Sequence, residues 1–217
     1  MKLYKKAMDP VSFETHFIGA IVSISLLVIT LMVELFKGAS KTTLISAIVF
    51  LGSCVALYSA SSIYHYYTGS DDNKIKLILR KLDHSMIFVL IAGTYTPLVL
   101  TYLPKINGYI FLGVIWSIAL VGIIIKLCWM DAPRALSTLV YLLMGWALVF
   151  DYQAFSSVPL GCLVLIAMGG VAYSIGALIY IFKKPNFLKA FGFHELFHIF
   201  VLIGTLFHFI AIAIFIL

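Results

Sequence analysis

Seven long apolar runs constrain the fold of this chain more than any other feature. They cover about residues 17–35, 43–64, 85–103, 108–126, 135–151, 159–181 and 196–217. Each approaches the roughly 20 residues that an α-helix needs to cross the hydrocarbon core of a bilayer. Backbone polar groups find no water there, so each crossing segment must satisfy its own hydrogen bonds as a helix. We therefore predict an all-α integral membrane protein, a seven-helix transmembrane bundle that forms a single domain over residues 1–217.

The composition supports a membrane location. The chain is 63% hydrophobic and only 11% charged, with a mean hydropathy of +1.09, whereas soluble domains contain about 25% charged residues. The three cysteines lie in apolar runs without a C-x-x-C pair, so we interpret them as small hydrophobic residues rather than as a disulfide or a thiolate site. They are Cys54, Cys128 and Cys162.

The basic residues between the runs predict the orientation, because cytoplasmic loops are enriched in Lys and Arg. With a cytoplasmic N-terminus, twelve of the fifteen basic residues fall on the inner side and three on the outer side. The inner set is Lys2, Lys5, Lys6, Lys74, Lys76, Arg80, Lys81, Lys126, Arg134, Lys183, Lys184 and Lys189; the outer set is Lys37, Lys41 and Lys105. This distribution predicts an external C-terminus and a multi-pass protein of the plasma (inner) membrane. It also accounts for the net charge of +6 without nucleic acid as a partner.

Five of the six histidines fall at predicted cytoplasmic ends of these helices. They are His16, His65, His84, His194 and His198. The sixth, His208, lies ten residues beyond His198, or about 15 Å along a helix. Ionisable groups are costly inside a membrane and usually mark a functional interior. We therefore predict that the functional site lies near the cytoplasmic face.

The segment HELFH (194–198) matches H-E-x-x-H, the zinc metalloprotease motif in which two histidines bind zinc and the glutamate is the base. His194 and His198 are four residues apart and therefore share a helix face. Glu195 points about 100° away from His194, so we expect it to face solvent or lipid headgroups. A third ligand from another helix is the simpler assignment, which argues against a protease.

That third ligand is available on the second run, where Ser61 and His65 are also four residues apart. The helices can bring His65, Asp83, His194 and His198 to a common point. Three neutral imidazoles with a water and a nearby carboxylate have the composition of a catalytic zinc site.

The other polar residues allow plainer interpretations. His16 is interpreted as an interfacial hydrogen-bonding residue and His208 as a buried one. His84, next to Asp83, is either a metal-site residue or only a hydrogen-bonding partner of one. Ser61 could equally be a small packing residue, because serine is favoured where membrane helices meet.

Three segments together resemble the hemolysin III family, the bacterial branch of the progestin and adipoQ receptors, which include the adiponectin receptors. They are SSIYH (61–65), KLDHSMIFVLIAGTYTPL (81–98) and HELFHIFVLIGTLFHF (194–209). The resemblance implies zinc bound by His65, His194 and His198, with Asp83 reaching the metal through water and Ser61 above it. Glu14 is similar to the acidic residue that opens the first helix in this family.

The same resemblance extends to alkaline ceramidases and implies hydrolysis of a lipid. We expect a zinc-dependent hydrolase of lipid amide or ester bonds, with Asp83 as general base and Ser61 steadying an oxyanion or the water. Membrane lipids are the expected partners. The alternatives are a non-enzymatic sensor or regulator, and a hemolytic, pore-forming protein, both with structural zinc.

Overall fold

The computed structural model describes residues 7–188 and 191–217, and these form eight helices. The helices are α1 (Pro10–Phe36), α2 (Lys41–Tyr66), α3 (Lys74–Tyr102), α4 (Lys105–Cys128), α5 (Arg134–Gly145), α6 (Ala147–Phe150), α7 (Leu160–Phe182) and α8 (Phe193–Phe215). The only strand-like pairing in the described ranges is an isolated bridge between Leu188 and Phe191. The predicted all-α class is confirmed. The inner basic residues Lys2, Lys5, Lys6 and Lys189 lie outside the described ranges.

Six of these helices are long and apolar enough to cross a membrane: α1, α2, α3, α4, α7 and α8. Their outward faces carry large apolar side chains that the bundle does not cover. Ile29 of α1 is 56% exposed and Ile110 of α4 is 62% exposed. Exposed apolar surface of this extent is suited to acyl chains rather than to water. The chain is a multi-pass membrane protein.

The fifth predicted helix, over 135–151, is wrong as a continuous element. Helix α5 ends at Gly145, and the four-residue α6 begins again after Trp146. The Tyr95 hydroxyl occupies the break, donating to the Gly145 carbonyl at 2.6 Å and accepting from the Leu148 N–H at 3.4 Å. A hydroxyl from α3 thus satisfies backbone groups that the interrupted helix cannot pair by itself.

Two helices begin well before the apolar runs that predict them. The side chain of Asn73 accepts hydrogen bonds from the backbone of the first turn of α3, at 2.8 Å from Ile75 N. Pro10 occupies the first turn of α1, where its missing N–H costs nothing. Asp83 and His16 therefore lie within helices rather than opening them. Hydropathy detects the apolar core of a helix but not its capped polar extension.

The helices pack mainly on their chain neighbours, α1 on α2, α2 on α3, α3 on α4 and α7 on α8. Helix α8 also contacts α1 and so brings the two ends of the chain together. One buried cluster joins α1, α2 and α8 around Phe50 and Tyr58. Another joins α3, α4, α5 and α7 around Phe88 and Tyr95. A cavity of about 370 Å³, hereafter the interior cavity, is lined mainly by α2, α3, α5, α7 and α8.

Candidate metal centre

Three of the predicted ligands meet where the last turn of α2 faces the first two turns of α8. One ring nitrogen from each of His65, His194 and His198 lies within 4.8 Å of the other two. His65 and His198 are each 2% exposed. The Nε2 atoms of His65 and His194 are 3.2 Å apart. In the part of the chain that the structure describes, these three residues are the group that can hold a metal ion.

The separation of one pair of these nitrogens fits a tetrahedral metal site. Two nitrogen ligands at the usual zinc distance, about 2.0–2.1 Å and at the tetrahedral angle, are about 3.3 Å apart. The observed separation of the two Nε2 atoms, 3.2 Å, is close to that value. Imidazole ligands suit zinc and several other transition metals. Three protein ligands leave a fourth position for water or substrate.

Asp9, immediately before α1, orients the first of these rings. The Nδ1–H of His65 donates to Asp9 Oδ2 at 3.0 Å, because a carboxylate can only accept. The opposite nitrogen, Nε2, is then the unprotonated one that can bind a metal. This hydrogen bond from His65 holds the pKa of the Asp9 carboxyl below its usual range. The sequence interpretation missed Asp9, because an Asp followed by Pro indicates the start of a helix and gives no sign of a histidine partner.

The beginning of α1 orients a second ring in the same way. The Thr15 hydroxyl donates to the Ser12 carbonyl at 3.0 Å, so its oxygen is left as an acceptor. The Nδ1 of His198 lies 3.5 Å from that oxygen and must be the donor in this long contact. Its Nε2 is then also free for a metal. One short stretch of chain, residues 9–15, thus orients rings of both α2 and α8.

The expectation that Glu195 faces solvent or headgroups is wrong. Glu195 is half-buried, and both of its carboxylate oxygens accept hydrogen bonds. Oε2 accepts from the Gly192 N–H at 2.8 Å, closing the first turn of α8, and Oε1 accepts from the Ser12 hydroxyl at 3.0 Å. A carboxylate engaged as a helix cap is poorly placed to act as a base. The geometry therefore agrees with the interpretation that this H-E-x-x-H match is not a protease motif.

His16 is not the interfacial residue expected from the sequence. Its ring is 3% exposed and stacks on His198 with 3.7 Å between ring centroids. Neither ring nitrogen has a hydrogen-bond partner among the described residues. Helix α1 begins at Pro10, so His16 lies in its second turn and packs against α8 inside the bundle. The ring is therefore buried rather than at the membrane interface. A buried imidazole without a protein partner indicates space for water or ligand beside it.

Asp83 and Ser61 line the interior cavity together with His194 and His198. Neither residue belongs to the group of three histidines. Ser61 is fully buried, and its hydroxyl lies close to the Asp83 carboxylate. This position is compatible both with a packing role for Ser61 and with the oxyanion- or water-binding role expected from the sequence. The roles expected for these two residues stay predictions, and Glu14 lies exposed on α1.

The remaining histidines lie apart from the three candidate ligands. His208 is buried, its Nδ1–H donates to the Gly204 carbonyl at 2.8 Å, and its ring stacks on Tyr173. This agrees with its interpretation as a buried hydrogen-bonding residue. His84 lines the interior cavity, and its backbone carbonyl accepts from the Tyr141 hydroxyl at 3.1 Å.

Comparison with known proteins gives this arrangement a family. A family model described as "Haemolysin-III related" matches residues 4–209. The chain belongs to that family. It is 38% identical over 192 residues to the protein named "Hemolysin-3 homolog" from Bacillus subtilis (strain 168), covering 88% of this chain and 86% of that one. It is 33% identical over 204 residues to "Hemolysin-3" from Bacillus cereus, covering 94% and 89%. The resemblance found in the three sequence segments is confirmed.

We expect Asp9→Ala to weaken metal binding by about 10- to 100-fold, the usual cost of removing a group that orients a metal-binding histidine. The affinity is measured by titrating Zn²⁺ into purified protein against a chromophoric chelator. Asp72→Ala, an exposed carboxylate in the α2–α3 loop, is the matched control and should bind as tightly as wild type. Equal affinity in the Asp9 and Asp72 variants would contradict the orienting role.

Proposed function

We propose that this protein is a zinc-dependent hydrolase of the plasma membrane that cleaves an amide or ester bond of a membrane lipid. One observation carries the proposal. The Nε2 atoms of His65 and His194 are 3.2 Å apart, and His194 and His198 line a cavity of about 370 Å³. His65, His194 and His198 would hold the metal. Beyond the histidines the wall is mostly apolar, with residues such as Leu90, Ile166 and Val201, as an acyl chain requires.

Bound zinc supplies Lewis-acid activation, which makes water a nucleophile near neutral pH. The chain's own residues supply the rest. Asp83 is the carboxylate among the described residues lining the cavity, and it would take the proton from the attacking water. The buried hydroxyl of Ser61 would donate to the oxygen that becomes negative during the attack. Asp9 and Thr15 keep the Nε2 atoms of their histidine partners unprotonated.

A lytic protein is the second candidate, and the names of the two Bacillus relatives, Hemolysin-3 homolog and Hemolysin-3, favour it. In that case, as in a non-enzymatic sensor, the metal would act only as a clamp between α2 and α8. A water-filled pore needs a polar lining, whereas apolar side chains make up most of the cavity wall. That composition supports the hydrolase.

We further propose seven crossings with a cytoplasmic N-terminus. Helices α5 and α6 together would form the fifth crossing, joined across the break by the Tyr95 hydroxyl. The ends of α2 and α3 that approach the histidines would then be cytoplasmic, in line with the basic residues there.

Cysteine accessibility tests this topology in a Cys128→Ser background, because Cys128 is exposed. In intact cells, Lys41→Cys and Lys105→Cys should react with a membrane-impermeant maleimide. Lys74→Cys and Lys184→Cys should react only after the cells are opened. If α5 and α6 do not cross, Lys184 falls on the same side as Lys105. Labelling of both Lys105→Cys and Lys184→Cys in intact cells would therefore overturn the seven-crossing arrangement.

We expect purified protein to hold about one zinc per chain, since the three histidines form one tetrahedral site. Alanine at His65, His194 or His198 should each remove most of the metal. Glu195→Ala should keep it and lose only the stability of a helix cap, about 1 kcal/mol. Elemental analysis of the purified variants measures the occupancy. Full occupancy in His65→Ala would instead show that the third ligand lies elsewhere and would support the protease arrangement.

We expect Asp83→Asn to retain zinc while turnover falls by roughly 10² to 10⁴, because an amide cannot accept the proton. The assay follows free fatty acid released from ceramide-like amides and phospholipid esters in nanodiscs. Asp72→Asn serves as the exposed control. Unchanged turnover in Asp83→Asn would refute the base assignment. If no wild-type turnover occurs across the panel and zinc removal lowers only thermal stability, the metal is a structural clamp.

A further inference from the structure

Three cationic side chains from three helices line the same interior cavity as the candidate metal site. They are Arg80 near the beginning of α3, Lys126 near the end of α4 and Arg134 at the beginning of α5. Because α3, α4 and α5 alternate in direction, these positions lie at one end of the bundle. The candidate metal site, at the end of α2 and the beginning of α8, lies at that same end.

Lys126 is the most informative of the three, because it is only 4% exposed. Its ammonium donates to the Ser137 hydroxyl at 2.6 Å. No carboxylate lies within salt-bridge distance of it in the described ranges. A buried charge without a counter-ion is strongly disfavoured. An anion that enters the cavity would supply the counter-ion that the described residues do not.

Arg134 is held beside the metal site by an aromatic ring. Its guanidinium carbon lies 4.4 Å from the centre of the Tyr180 ring, and Nη1 donates to the Tyr180 carbonyl at 3.3 Å. The Tyr180 ring also lies near the candidate metal site, since the centres of the Tyr180 and His194 rings are 6.0 Å apart. The guanidinium has five N–H donors, so several remain for a ligand. One aromatic ring separates this cation from a candidate metal ligand.

The orientation of the protein in the membrane does not explain these three cations. Orientation depends on how many Lys and Arg residues the cytoplasmic loops contain. Exposed lysines such as Lys74 contribute to that number without entering the cavity. Orientation does not require a cation to point into a cavity or to be buried. The cavity wall carries Arg80, Lys126 and Arg134 against one described carboxylate, Asp83. The wall therefore has an excess of positive charge.

We propose that this cluster binds the phosphate of an anionic glycerophospholipid, which makes that class of lipid the substrate of the metal site. This inference rests on the proposed function. Guanidinium groups bind phosphate oxygens through paired, charge-assisted hydrogen bonds. The apolar remainder of the cavity accepts the acyl chain. A phosphate joined to an acyl ester by a glycerol unit places its anion at the cations and its ester near the metal site, whereas a ceramide has no anion to offer.

Binding of defined lipids to the zinc-loaded protein in neutral detergent tests the proposal, with native mass spectrometry as the readout. Phosphatidylglycerol should bind at least about tenfold more tightly than diacylglycerol or ceramide, as expected for a charged hydrogen bond. Lys126→Met and Arg134→Gln should each abolish this roughly tenfold preference for phosphatidylglycerol, while Lys74→Gln should leave it intact. If Arg134→Gln fails to fold, Arg80→Gln and Arg134→Lys replace it, and the latter should keep part of the preference.

Inorganic phosphate separates the two sources of the anion. It should displace phosphatidylglycerol only at far higher concentration than the lipid itself; displacement at equal concentration would show a free-phosphate site and overturn the proposal. His198→Ala separates the inference from the proposed function, since it should still prefer phosphatidylglycerol. Preference without turnover in any protein would uphold the lipid site and reject the hydrolase. Turnover with no preference for an anionic lipid would do the reverse.

Discussion

Imidazole rings buried in an apolar bundle must find partners for their nitrogens, and much of the structure follows from how they do so. His65 and His198 are almost fully enclosed, yet each turns one nitrogen toward an oxygen of residues 9–15 and the other toward the shared centre. Glu195 holds the first turn of α8 in place while contacting Ser12. Without a metal, the three facing nitrogens of His65, His194 and His198 would lie close together with few hydrogen-bond partners. The arrangement is physically reasonable as a metal site.

The interior cavity links this centre to the rest of the molecule. Its wall carries the hydroxyl of Ser61, the carboxylate of Asp83 and the cations of three helices, followed by apolar side chains. Polar groups at one end and apolar groups beyond are complementary to an amphiphile rather than to a compact polar solute. Under the proposed function, the candidate metal site and the cationic cluster would be two parts of one binding surface, one facing the bond to be cleaved and the other the headgroup.

The sequence predicted most of the helices and the three histidines, because hydropathy and i, i+4 spacing are local signals. It missed features that depend on contacts distant in the chain. Asp9 is recognisable only through its hydrogen bond to His65, 56 residues away. The break at Trp146 depends on a hydroxyl from α3. Glu195 was placed by helix geometry alone, which carries no information about the cap or about Ser12. The early start of α3 reflects Asn73, a capping residue outside the apolar run.

The contacts between α1 and α8 have a consequence for biogenesis. Ser12 and Glu195 are separated by 183 positions, and His65 and His194 by 129. The first helix enters the membrane early during synthesis and the last helix enters at the end, so the rings meet only when the whole chain has been inserted. A chain interrupted before α8 retains one of the three histidines and loses the contacts that α1 makes with α8. Metal acquisition would then mark completed assembly, and nascent chains would be unable to retain the ion prematurely.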